Sequence, residues 1–206
     1  MTFAEIEKHL GKFRVGIAGA GGLGSNCAVS LARTGVGTLV IADFDIVEMS
    51  NLSRQYYFRD QTGKPKVLAL QDNINRINPR ITVIPNHVVL DPSNIPIIFA
   101  GCHLIIEAFD KAEMKEMLID TLQKRMPGVP VIVGSGIAGW GKSDEIKCRK
   151  IDDSLYICGD ETLEATEELP PMAPRVGIVA CMQANVAIEL LMKKNLINNP
   201  GNENHT

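Results

Sequence analysis

Residues 14 to 25, RVGIAGAGGLGS, restrict the possible folds more than any other stretch of this chain. Val15 and Ile17 read as buried strand positions, and Gly19, Gly21 and Gly24 spell G-x-G-x-x-G. Cys27, Ala28, Leu31 and Ala32 then continue at helical spacing. A strand that enters a helix through such a turn points free backbone N–H groups and the positive end of the helix dipole at one spot, so an anion is expected there. Glycine is needed because the turn is tight, the backbone must approach a phosphate, and the helix packs close to the strand. The helix is expected to stop near Thr34, before Gly35 and Gly37, and TLVIAD at 38 to 43 reads as the next strand. A strand, helix and strand in so few residues close only as a right-handed crossover between parallel strands. The fold class is therefore α/β, a Rossmann-like doubly wound, mostly parallel sheet.

The remainder extends this pattern. FAEIEKHL at 3 to 10 is a short amphipathic helix. Val67, Leu70, Ile74 and Ile77 line one face of a helix that Asn78-Pro79 ends. ITVIPNHVV at 81 to 89 is a strand that Pro85 confines to an edge or a bulge. HLIIEAFD at 103 to 110 and VPVIVGSG at 129 to 136 are buried strands flanking a helix over 111 to 126. The alternation in EIKCRKIDDSLYIC predicts antiparallel strands appended to the sheet. Residues 159 to 174 carry five acids and three prolines, which suits a mobile surface loop. From Arg175 an apolar helix begins whose Gln183, Asn185 and Glu189 argue against a membrane span. The 206 residues are expected to form one domain ending in a disordered tail at 195 to 206.

Composition narrows the function. A net charge of -3 offers no footprint for nucleic acid or an anionic membrane. Residues 1 to 12 lack the apolar core of a signal peptide, so the expected location is the cytoplasm. Five widely spaced cysteines without a C-x-x-C pair read as free thiols. Cys158, beside the acidic segment, is the first candidate for a reactive thiol, whereas Cys181 reads as a packing residue. His9, His87, His103 and His205 show no metal spacing.

Candidate site residues cluster behind the second strand. Asp43 follows Gly24 by 19 residues, where a carboxylate usually receives ribose hydroxyls. DFDIVEMSNLSRQYYF at 43 to 58 then sets Asp45, Asn51, Arg54 and Gln55 close together, a polar set that a plain loop does not need. Lys64 and Lys66 stand at a helix start, where cations are disfavoured unless an anion shares the site. Glu107 and Asp110 arrive at the carboxyl end of a strand, the edge at which open α/β sheets bind ligands. Asp110 fits a magnesium ligand or a helix N-cap.

The strings GAGGLGS at 19 to 25, LARTGVGTLVIADFDIVEMSNLSRQ at 31 to 55, GKPK at 63 to 66, INP at 77 to 79 and EAFD at 107 to 110 together resemble the ThiF/MoeB/HesA family, the ubiquitin-activating-enzyme-like adenylyltransferases. The likeness spans residues 13 to 135 closely, and the compact C-terminal part with MAPRVG is most similar to ThiF-type proteins of thiamine biosynthesis. It implies that ATP adenylates the C-terminal Gly-Gly carboxylate of a ubiquitin-fold sulfur-carrier protein. By that correspondence Arg54 and Lys66 hold the phosphates, Asn51 and Gln55 position nucleotide oxygens, and Asp43 receives the ribose with Asp45 in support. Asp110 carries Mg2+, and Gly19, Gly21, Gly22 and Gly24 supply the phosphate turn. A homodimer is implied as well. Three departures stand out: no C-x-x-C pairs, hence no zinc expected; Lys111 where relatives carry asparagine; and no arginine in residues 1 to 13. Two other readings compete, a non-catalytic nucleotide-binding or regulatory relative and an NAD-dependent oxidoreductase. The second leaves Asn51, Arg54 and Lys66 without a task.

Overall fold

The computed structural model describes residues 1–163 and 165–194. The tail at 195 to 206 and His205 lie outside the described residues. The elements run α1 (Phe3–Leu10), β1 (Arg14–Ala18), α2 (Gly22–Thr34), β2 (Thr38–Asp43), α3 (Lys66–Ile77), β3 (Thr82–His87), α4 (Ile95–Ile98), β4 (Leu104–Glu107), α5 (Ala112–Arg125), β5 (Val131–Ser135), β6 (Lys147–Lys150), β7 (Leu155–Gly159) and α6 (Ala173–Lys193).

Seven strands form one sheet in the order β3-β2-β1-β4-β5-β7-β6. Because β1 pairs with both β2 and β4 in parallel, the strand order reverses at β1, which opens a crevice at the carboxyl ends of β1 and β4. The predicted connection from β1 through α2 to a parallel β2 is present. The appended hairpin is refined by the structure: β7 continues the parallel sheet beside β5, and only β6 runs antiparallel. Chain direction forces this, since 136 to 146 carry the chain past the sheet before β6 turns back onto β7. Pro85 lies on β3, an edge strand, as its missing N–H requires. The opposite edge, β6, is exposed and bears Lys147, Arg149 and Lys150, charges that discourage edge-to-edge pairing.

Alternate strand residues fill two layers. Val15, Ile17, Leu39, Ile41, Leu104 and Ile106 meet α2, α3 and α6 on one face. Ala18, Val40, Ile105 and Val133 meet α4 and α5 on the other. α6 alone among the described residues is long and apolar enough to cross a membrane, yet it packs along α2. Its buried Gln183 donates to the carbonyls of Glu107 (2.9 Å) and Ile132 (3.1 Å). Cys181 on this helix is exposed, with its Sγ 3.9 Å from the Ser30 Oγ of α2, so it sits at the margin of the contact between the two helices and not in the packed core expected for it.

The acidic segment is also better anchored than its composition implies. Asp160 and Arg175 form an ion pair in which both side chains are 2% exposed. Arg175 also donates to the Gly141 carbonyl at 2.7 Å, and Gly139 bridges Pro171. Composition alone does not reveal that one acid of the segment has a buried partner at the start of α6.

Candidate functional site

The glycine turn is held from below and from the side. Asp43, the last residue of β2, accepts the Ala20 N–H at 2.6 Å with one oxygen and the Asp45 N–H at 2.7 Å with the other. The Tyr57 hydroxyl donates to the Ala20 carbonyl at 2.7 Å. Burial, followed by the charges of Asp43 and Asp45, pushes Tyr57 well above the usual phenol range, so it stays a donor. Gly19 takes φ 98°, and a Cβ at Gly24 would stand 1.9 Å from the Gly19 carbonyl oxygen. The helix can therefore start this close to the strand only with glycine there. No side chain caps α2, and its first turn carries no acid, which leaves its N-terminus open to an anion.

A cleft of about 430 Å³ lies above this turn, within the range of small-molecule sites. Its polar half is built by Gly19, Gly21, Asp43, Asp45, Lys66 and Asp110. Lys66, only 5% exposed, gives its ammonium to Asp45 at 2.7 Å, while its own N–H bonds the Asp45 carbonyl at 2.9 Å. A cation so fixed at a helix start is aimed rather than solvated. Its apolar half is formed by Phe44, Val88, Val89, Leu90 and Met114. One end thus suits a flat ring and the other a sugar phosphate. The apolar half is absent from the sequence-based expectation, which runs the strand through Val89, whereas β3 ends at His87 and Val88 and Val89 line the cleft. The signal was the apolar run continuing beyond a strand that Pro85 had already marked as an edge.

Arg54, Asn51 and Gln55 stand on the other side of the turn. Asn26 on α2 donates to the Arg54 carbonyl at 2.9 Å, which sets the half-buried Arg54 side chain beside Gly22. Asn26 is a positioning residue that sequence reasoning did not single out. Gln55 is 8% exposed and lies against Gly21, and its buried Oε1 has no partner. The Gln55 amide nitrogen is the atom nearest Gly21, so its N–H groups can donate to an anion at the turn, whereas the unpaired Oε1 is an acceptor and cannot. Asn51 differs from expectation: its Oδ1 accepts the Glu48 N–H at 3.0 Å and so closes the short helical turn Met49–Ser53, outside the cleft lining.

The β4–α5 loop completes the site. Asp110 is exposed on the cleft rim, and Lys111, not Asp110, occupies the N-cap of α5, which removes the capping alternative. Glu107 does not reach the cleft. It is fully buried beneath it, accepting the Phe109 N–H at 2.6 Å and the Lys115 ammonium at 2.9 Å on both oxygens. Cys158 is withdrawn as a thiol acting on substrate in the cleft: it is 0% exposed and outside the cleft lining, and burial first, then Cys148, pushes its thiol far above the ordinary range. The three histidines among the described residues each bond backbone groups. His9 bonds the Leu191 carbonyl, His87 the Phe44 carbonyl, and His103 the Arg14 backbone.

Asp110 is a single carboxylate, and no group of three or more metal-ligating side chains occurs among the described residues. That donor set fits a magnesium ion arriving with a triphosphate, which needs only one or two protein carboxylates.

Sequence comparison matches residues 2–205 to the ThiF family. The chain is 35% identical over 193 residues to the molybdopterin-synthase adenylyltransferase of Salmonella typhimurium, covering 91% of this chain and 76% of that protein. It is 32% identical to the SAMP-activating enzyme E1 of Haloferax volcanii, covering 87% and 67%. The same fold is seen in the tRNA N6-threonylcarbamoyladenosine dehydratase TcdA of E. coli, solved with ATP, at TM-score 0.82, 20% identity and coverage of 91% and 89%.

Proposed function

We propose, since this chain belongs to the ThiF family, that it is an ATP-dependent adenylyltransferase acting on the C-terminal Gly-Gly carboxylate of a ubiquitin-fold sulfur carrier. The observation that carries this reading is the pair of cations at the glycine turn: Lys66 in the cleft and Arg54 beside Gly22. The relatives' names, an adenylyltransferase and an E1, agree with it.

In this reaction a carboxylate oxygen of the carrier attacks the α-phosphorus of ATP, the bond to the β-phosphate oxygen breaks, and pyrophosphate leaves. Two anions must meet, so the site has to supply positive charge where the phosphoryl oxygens gather charge. The α2 N-terminus and the backbone of the glycine turn face the phosphates. Lys66, steadied by Asp45, and Arg54, steadied through Asn26, neutralise them from opposite sides. Phe44, Val89 and Met114 shelter the base. Asp110 would hold magnesium, which supplies further charge neutralisation at the polyphosphate.

The finer assignment is a carrier of thiamine synthesis, in support of which stands the resemblance carried by the MAPRVG string at 172 to 177. A homodimer, implied by the family resemblance, is part of the same reading. The test is carrier-dependent ATP–pyrophosphate exchange with thiamine-type, molybdopterin-type and archaeal carriers, with Arg54→Ala as control. Exchange with the thiamine-type carrier that falls by ~10²–10³ in the mutant, the loss expected for one oxyanion donor, supports the whole reading. ATP binding without exchange on any carrier leaves a non-catalytic nucleotide binder, and exchange on another carrier moves the pathway.

A further inference from the structure

We propose that Cys148 and Cys158 form a cross-strand dithiol, a modification site that low-molecular-weight disulfides oxidise to an intrachain disulfide. The pair sits in the antiparallel hairpin of β6 and β7, where Cys148 is directly opposite Cys158 in an unbroken register from Lys147–Gly159 to Lys150–Tyr156.

The hydrogen-bond phase of the ladder fixes how close they stand. The Ile151 N–H donates to the Leu155 carbonyl at 2.9 Å, which makes Lys150–Tyr156, one step further in, a non-hydrogen-bonded pair. Alternation then makes Arg149–Ile157 hydrogen-bonded and Cys148–Cys158 non-hydrogen-bonded again. In such pairs the Cα atoms approach to about 4.5 Å, with both side chains on one face of the sheet. Disulfides bridge Cα atoms about 4.4–6.8 Å apart, so this pair can be joined without moving the backbone.

Accessibility divides the work between the two thiols. Cys148 is exposed on the edge strand, and Cys158 is buried in the core that also holds Cys27. The thiolate of Cys148 attacks one sulfur of a disulfide RSSR, forming a Cys148 mixed disulfide and releasing RS⁻. Cys158 then gives its proton to solvent and attacks the Cys148 sulfur, the Cys148–S–SR bond breaks, and a second RS⁻ leaves. Two protein thiols are oxidised and one RSSR is reduced to two thiols. Burial holds Cys158 in its protonated form, so the second step is the slower one.

The test uses the full chain and oxidised glutathione, followed by alkylation and mass mapping without reductant. The expected result is a peptide joined through Cys148 and Cys158, 2 Da lighter than the two thiols, reversed by dithiothreitol. The unfolding midpoint should rise with it, because closing the hairpin restricts the unfolded chain. Cys148→Ala, which removes an exposed side chain, should abolish the joined peptide and the rise together. The exposed Cys181 serves as internal control for the oxidant. Glutathione on Cys181 and Cys148 with Cys158 still alkylated would overturn the proposal, as would a Cys27–Cys158 bridge that persists in Cys148→Ala.

Discussion

Replacing Lys115 with methionine leaves Glu107 as a buried carboxylate beneath the cleft without its counter-ion. Lys115 bonds both Glu107 oxygens at 2.9 Å, and it also donates to the Gly134 carbonyl at 2.9 Å. Removing one partner from a buried pair costs ~3–5 kcal/mol, but the carboxyl can escape by taking a proton. From its ordinary value of 4.5, that escape costs about 1.36 × 2.5 ≈ 3.4 kcal/mol at pH 7 and about 0.7 kcal/mol at pH 5. The lost bond to Gly134 adds ~1 kcal/mol at either pH. Burial already raises Glu107 in the native chain, with Lys115 opposing, so loss of Lys115 raises it further. Above pH 4.5 the folded variant then binds more protons than the unfolded one, and its stability must fall as pH rises toward the folded value. Urea unfolding of both proteins should give a destabilisation of ~4–5 kcal/mol at pH 7 that shrinks to ~2 kcal/mol or less at pH 5. The Glu107→Gln/Lys115→Met double variant should lose that pH dependence. A deficit equal at the two pH values to within ~0.5 kcal/mol, or below ~1 kcal/mol at pH 7, would refute the reasoning.

Gly24→Ala forces a Cβ to 1.9 Å from the Gly19 carbonyl, and the overpacking should cost at least ~1–3 kcal/mol by denaturant titration and abolish ATP binding by calorimetry. A retained ATP affinity would show that the turn is not the phosphate site. Val89→Asp alters a residue 55% exposed on the apolar side of the cleft; the unfolding midpoint should hold while ATP affinity drops ~5-fold or more, about 1 kcal/mol of lost apolar contact. Arg175→Met strands Asp160, so thermal unfolding should register a loss of ~3–5 kcal/mol, and limited proteolysis should open the 159 to 174 segment first.

The core of the fold was legible because its signals are local. Gly19, Gly21 and Gly24 mark a turn whose geometry admits little else, and TLVIAD coincides with β2 because Gly37 and the acid at 43 bound it. The direction of β7 was not legible: an alternating run says that one face is buried, and it says nothing of which neighbour the strand joins. Asp43, Asp45 and Lys66 could be chosen from residue type and spacing. The partners that aim them could not, since Asn26 and Arg54 meet only after two crossovers have formed, and Glu107 reads like a cleft acid until Lys115 is seen beneath it. Asn51 shows the converse, a side chain of the right type whose oxygen a neighbouring backbone amide has taken.

The bonds of Gln183 bear on the order of events at the ribosome. This side chain reaches back across 76 and 51 residues to the carbonyl at the end of β4 and to one near the start of β5, and Val176 on the same helix packs against Gly22. A nascent chain that has made every strand but not yet α6 therefore displays an uncovered apolar face on α2 and an unfinished central sheet. The nucleotide turn, although encoded well ahead of α6, gains its final support only when that helix docks. Until then the growing polypeptide should be a client for chaperones that recognise apolar surface, and release from them should coincide with docking of that helix.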